Sequence, residues 1–269
     1  MKNKIARLTR PLKLSYLPAA LALALILSSC APGGNTQTPS GTSDTPDKSW
    51  SAMLSEGEDM GEEYIDSFIF IGESTTAHLK SRGVLRDGKN TKQVWSPRSG
   101  TMNLDTTSAA VKIIFPDTGE EMTIAQAAAK KQPDRVLLTF GLNGAVQKIK
   151  MGEEYFKTCY RSLIEAIKKA SPHTEIVIQS CFPVASSMDM SSYSVDAATL
   201  NSYISTINSW SLSLAAELGA GYLNTWEIMT DSEGFLKAEY NAGDGYHLTA
   251  KAYQTMLLYL RTHAFTEEI

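Results

Sequence analysis

Apolar runs that do not alternate constrain this chain more than any other feature. Ser67-Phe68-Ile69-Phe70-Ile71-Gly72, Arg135-Val136-Leu137-Leu138-Thr139-Phe140-Gly141 and Glu175-Ile176-Val177-Ile178-Gln179-Ser180 carry large apolar side chains at consecutive positions. A strand with one wet face alternates apolar and polar residues, so unbroken runs of this kind belong to strands covered on both sides. Gly221-Tyr222-Leu223-Asn224 and Gln93-Val94-Trp95-Ser96 read as shorter members of the set. Helical stripes lie between them. Phe156, Cys159, Tyr160, Leu163 and Ile167 recur at helical spacing, as do Leu200, Ile204, Ile207, Leu214 and Leu218 with one register break. Thr249 is placed to cap a last helix with Tyr253, Met256, Leu257 and Leu260 on one face. Residues 111–115 and 121–124 flank Pro116-Asp117-Thr118-Gly119, which predicts a small hairpin. Strands alternating with helices predict one α/β domain, with a central parallel sheet of about five strands and helices on both faces. Right-handed crossovers then gather the strand C-terminal ends on one edge, where ligands bind.

Charge divides the chain. Of 269 residues, 43% are hydrophobic and 20% charged, which excludes a disordered, collagenous or multi-span membrane chain. A net charge of −4 offers no basic footprint for nucleic acid. All five charges before residue 30 are positive (Lys2, Lys4, Arg7, Arg10, Lys13), leaving 20 basic against 29 acidic residues, a net of −9, for the rest. The apolar run at 17–27 follows, too short for a stable span and laid out like a secretory signal. It ends in Leu27-Ser28-Ser29-Cys30, which resembles the lipobox of bacterial lipoproteins. The resemblance implies a signal peptide over 1–29, lipidation of Cys30, and anchoring to the membrane on its extracytoplasmic side. Residues 31–47 are rich in Pro, Gly, Ser, Thr and Asn and read as a flexible tether. The expected division is therefore 1–29 leader, 30–59 lipidated cysteine and tether, and 60–269 folded domain. Cys159, on an apolar stripe, reads as a buried thiol, although export leaves a bridge to Cys181 open. No cysteine or histidine spacing suggests a metal, and no cofactor is expected.

The chemistry-bearing residues follow the strand-like runs. Gly72-Glu73-Ser74 ends the first run and opens a helix, which places a hydroxyl at the sheet edge and its N–H at a helix N-terminus. Asp244-Gly245-Tyr246-His247-Leu248-Thr249 precedes the last helix. An Asp three residues before a His can fix the imidazole tautomer, and a serine hydroxyl needs such a base. Ser99-Gly100-Thr101 and Gly141-Leu142-Asn143-Gly144 follow two other runs. Ser74 N–H, Gly100 N–H and the Asn143 carboxamide are then candidate donors to an oxyanion.

Ser, Gly, Asn and His in this order resemble the four blocks of the SGNH hydrolases, also called GDSL esterases and lipases. The likeness spans roughly residues 60–265. It implies a flavodoxin-like three-layer α/β/α sandwich and ester hydrolysis through an acyl-enzyme, with no cofactor. It also assigns Ser74 as nucleophile, His247 as base, Asp244 as its orienting acid, and Ser74, Gly100 and Asn143 as the oxyanion hole. Two positions depart from the family pattern: Gly-Asp-Ser is Gly-Glu-Ser here, and Gly-X-Asn-Asp is Gly-Leu-Asn-Gly. In the family the acidic neighbour helps shape the nucleophile loop, so Glu73 is expected to shift that loop without removing charge.

Other residues weigh less. Glu73, Trp95 and Arg98 are candidate substrate contacts, with burial in the core the competing reading for Trp95 and a surface ion pair that for Arg98. His78, one turn beyond Ser74, has no orienting partner and reads as a histidine on the helix face or just behind the site. His173 falls in a loop, and His263 closes the last helix. Residues 181–193 are expected to overhang the site and set specificity. The favoured reading is a serine esterase of short-chain acyl esters, acetyl foremost, on carbohydrate. An O-acyltransferase with the same triad and a non-catalytic binding lipoprotein are the rivals.

Overall fold

The computed structural model describes residues 52–265. The expected signal peptide, Cys30 and most of the expected tether lie outside the described residues. Five parallel strands form the central sheet: β1 (Phe68–Gly72), β2 (Val94–Trp95), β5 (Arg135–Thr139), β6 (Glu175–Gln179) and β7 (Gly221–Leu223). Their order is β2-β1-β5-β6-β7. In β1, Ile69 and Ile71 enter one core while Phe68 and Phe70 enter the other, and Val136 and Leu137 divide the same way in β5. Period-two alternation thus sorts an unbroken apolar run into two buried faces.

Helices α3 (Ile124–Lys131), α5 (Glu153–Ala170) and α6 (Ala197–Leu218) contribute to the first core. The second takes side chains from α1 (Gly61–Asp66), α2 (Ser74–Arg82) and α8 (Ala250–Thr262). This is the expected α/β/α sandwich. Fully buried Phe68, Phe70, Phe140 and Phe156 anchor it. Each contributes roughly 1.5–3 kcal/mol of apolar burial.

The predicted hairpin is β3 (Lys112–Ile114) paired antiparallel with β4 (Glu121–Thr123). The chain then turns straight into α3, where the sequence reading ended on a strand at residue 124. A capping box explains the switch: Gln126 N–H donates to the Thr123 side chain, and the Gln126 side chain takes the Thr123 N–H. The short helices α4 (Ala145–Met151) and α7 (Trp226–Met229) carry no long apolar stripe and were not anticipated. The domain also begins before residue 60. Met53 bridges Tyr222 in parallel, and Tyr222 N–H donates to Ala52 O at 2.7 Å, so part of the expected tether lies along β7. Among the described residues no helix is long and apolar enough to cross a membrane.

Strand order fixes where the site lies. The chain leaves β1 to one side for β2, then returns to the other side for β5. The loops after β1 and β5 therefore splay apart at a topological switch point, the usual ligand crevice of open α/β sheets.

Candidate active site

Close packing shapes the turn after β1. A Cβ on Gly72 would lie 2.3 Å from Thr76 Oγ1 and 2.5 Å from Thr139 O, so only glycine fits between the strand and the following helix. Glu73 is the N-cap of α2, and its carbonyl accepts the N–H groups of Thr76 and Ala77. Ser74 is therefore the first helical residue, with its N–H free of a helical partner.

His247 is aimed by its own loop. Asp244 Oδ1 accepts His247 N–H at 2.9 Å and Tyr246 N–H at 3.1 Å, while Oδ2 takes His247 Nδ1–H at 2.6 Å. With Nδ1 the donor, Nε2 is left as acceptor, 3.0 Å from Ser74 Oγ. Tyr253 OH donates to Thr75 O at 2.6 Å and fastens α8 to the helix that Ser74 opens. Burial raises the Asp244 carboxyl, but the hydrogen bonds from His247 and Tyr246 outweigh it, and the net direction is down.

Two aromatic rings flank the imidazole. Tyr246 and His78 each stand 4.2 Å from His247, centroid to centroid. Burial, then the neighbouring His247 and Arg82, push His78 down, while Asp244 opposes the shift. The net shift favours the neutral form of His78 beside the candidate base. Of the two sequence readings, a helix-face histidine and one just behind the site, the structure favours the second.

The oxyanion donors are arranged differently. Ser74 N–H has no acceptor among the described residues. Gly100 N–H, expected to face the substrate, donates to Pro97 O at 2.9 Å within a turn whose φ at Gly100 is +77°. The Asn143 amide donates to Thr101 Oγ1 at 3.1 Å and keeps a second N–H. Ser74, His247 and Asp244 are brought together, and Asn143 lies against the Gly100 loop. The Gly100 amide itself is turned to its own chain.

Each of the three candidate substrate contacts is engaged elsewhere, Trp95 and Arg98 in the competing roles the sequence allowed. Glu73 is buried, and its two carboxylate oxygens accept Gly141 N–H and Asn143 N–H at 2.9 Å each. The extra methylene lets it span from the β1 loop to the β5 loop, so it braces the site and does not face it. Burial raises its pKa, with Lys148 and the amides of Gly141, Asn143 and Leu142 acting against the shift. Trp95 is 1% exposed and packs edge-on against Phe115, because pairing with β1 turns its side chain under the hairpin. Arg98 is exposed and pairs with Glu121 at 3.3 Å, the competing reading.

A cleft of about 610 Å³ adjoins Asn143 and Tyr246. Leu142, Gln147, Met188 and Tyr193 also line it, and no charged side chain does. Two carboxamides on α6 hold the loop that supplies Met188 and Tyr193. Asn208 exchanges hydrogen bonds with the Cys181 backbone, and Asn201 does the same with Val184. Gly245, at φ +91°, lets this loop close on the histidine loop, since a Cβ there would meet Met188 Cβ at 2.5 Å. Cys159 and Cys181 are both free and buried, and burial pushes both thiols up. No group of metal-binding side chains forms among the described residues.

An α/β/α sandwich with hydroxyl, imidazole and carboxylate in line at its switch point has the architecture of the SGNH class of ester hydrolases. The chain belongs to the GDSL-like lipase/acylhydrolase family, whose sequence model matches residues 70–255. It is accordingly a carboxylic ester hydrolase by family. No curated protein matches the sequence. Among solved structures it is similar to a lipase from a goat rumen metagenome (14% identity, 74% of this chain and 98% of that one, TM-score 0.48). It is also similar to the periplasmic domain of a Salmonella Paratyphi A lipopolysaccharide acetyltransferase (19%, 77% and 84%, 0.45). A third is a GDSL-like lipase from Bacteroides thetaiotaomicron (16%, 71% and 83%, 0.43).

Proposed function

We propose that the protein is a serine esterase that removes short acyl groups, acetyl foremost, from a carbohydrate. The continuous chain from Asp244 through His247 to Ser74, at 2.6 and 3.0 Å, carries this reading. Ser74 Oγ attacks the ester carbonyl while its proton passes to His247 Nε2, and Asp244 stabilises the resulting imidazolium. The tetrahedral oxyanion takes hydrogen bonds from Ser74 N–H and the Asn143 amide. As the C–O bond to the alcohol breaks, His247 returns the proton to the leaving oxygen. Water then gives its proton to His247, attacks the acyl-enzyme, and releases the acid and free Ser74.

The neighbouring cleft supports the alcohol assignment. Tyr193 and Tyr246 offer ring faces, Gln147 and Asn143 offer amides, and the lack of charged lining suits a neutral, hydroxyl-rich partner. A fluorophosphonate probe should label Ser74, and a panel of acetylated glycans and nitrophenyl esters of graded chain length should favour acetyl. Absence of label would favour a binding protein, and preference for long chains would overturn the acetyl assignment. Added sugar acceptors that intercept the acyl group faster than water would turn the assignment to acyl transfer.

The leader and Cys30 support the further proposal that the domain is lipid-anchored outside the membrane. Cys30→Ala should move the protein from the membrane fraction to the soluble one. Unchanged fractionation would refute the anchor.

A further inference from the structure

The loop that presents Asn143 is held by charges of opposite sign. Glu73 Oε2 accepts its N–H at 2.9 Å, and Lys148 Nζ donates to its carbonyl. Lys148 is 5% exposed, in the last turn of the short helix α4. Glu73 is also buried, so neither charge is placed well by itself. Each position becomes tolerable only through the other charge and the peptide groups between them.

Small residues make room for this arrangement. A Cβ on Gly141 would meet Ile207 Cγ2 at 2.6 Å and Cys181 Sγ at 2.8 Å, and Gly144 is called for by its φ of +70°. The peptide units on both sides of Asn143 are therefore fixed, one through its N–H and one through its C=O. Only the side chain is left to point toward Thr101 and the site.

We propose that Lys148 is a positioning residue for the oxyanion site, holding Asn143 by its carbonyl so that the carboxamide is set before substrate arrives. This rests on the oxyanion role proposed above for Asn143. Pre-set donors matter because a displacement of about 1 Å can cost about a hundredfold in rate.

The test is a double-mutant cycle on nitrophenyl acetate hydrolysis with Lys148→Met and Asn143→Ala. Lys148→Met should lower kcat about tenfold to a hundredfold with KM unchanged. In the Asn143→Ala background the same change should cost nothing further, because the group it positions is gone. Wild-type kcat in Lys148→Met, or losses that multiply in the double variant, would overturn the proposal. Should Lys148→Met not fold, Lys148→Arg, which keeps the charge but moves the donor, runs through the same cycle. Wild-type kcat in Asn143→Ala would instead sink the oxyanion role itself, so the two failures are distinguishable.

Discussion

At one end of the site, Ser74, His247 and Asp244 touch in line before any substrate is present. At the other, Gly100 N–H is given to Pro97 O and one Asn143 N–H to Thr101 Oγ1. The first arrangement is made of side chains whose reach absorbs small errors in the backbone. The second depends on the direction of a peptide plane in a left-handed turn. Both Gly100 and Asn143 now serve neutral oxygens, and exchanging one neutral acceptor for another changes little. A charged oxyanion is the stronger acceptor. Donors spent on neutral partners in the resting site can thus favour the transition state over the substrate.

Five substitutions would break or sharpen this contrast. Ser74→Ala and His247→Ala should each lower kcat by about 10⁶ in acetyl ester hydrolysis, with circular dichroism unchanged. Near-normal turnover in either would end the comparison at once. Asp244→Asn should cost about 10⁴ in kcat, since the neutral amide no longer fixes the Nδ1–H tautomer. The same variant has a stability signature. Because the Asp244 carboxyl sits below its ordinary value of 3.8, its contribution is present above that value and lost as the pH falls through the lower folded-state value. The melting temperature of Asp244→Asn should therefore fall less on acidification than that of the wild type.

Asn143→Ala should cost about 10²–10³ in kcat with little change in KM. A much smaller loss would mean that Ser74 N–H alone holds the oxyanion. Gly100→Ala is the mildest and most discriminating change. No atom lies within 4 Å of the added Cβ, so the penalty is conformational, about 1–2 kcal/mol for the left-handed turn. If Gly100 N–H stays with Pro97, kcat should drop by no more than about tenfold. A loss as large as that of Asn143→Ala would show that this amide turns toward the substrate.

The same contrast explains what could be read from the sequence. The long strands were legible because burial on both faces leaves no polar positions in the run. Ser74, Asn143 and His247 were legible because each sits where a strand-like or turn pattern stops. Side-chain direction was not. Trp95 belongs to a two-residue strand, too short for its pattern to reveal which face is covered. Glu73 lies beside the nucleophile, but its target amides are 68 and 70 residues away. His78 was signalled only by its spacing from Ser74, and the approach of its ring to His247 is a tertiary contact that spacing does not show. Helix α4 was missed because its seven residues carry no apolar stripe long enough to register.

The pair of asparagines on α6 has a consequence for how such a site can change over time. Asn201 and Asn208 secure only the root of the loop after β6, where residues 181–185 are buried. Beyond that root, residues 189–194 are mostly exposed, yet Ser192, Tyr193 and Ser194 face the cleft. The tip can therefore accumulate substitutions without disturbing the core, while the anchor keeps delivering it to the same place. Substrate preference becomes an interchangeable part, and a lineage could exchange one ester for another while leaving the hydrolytic machinery untouched.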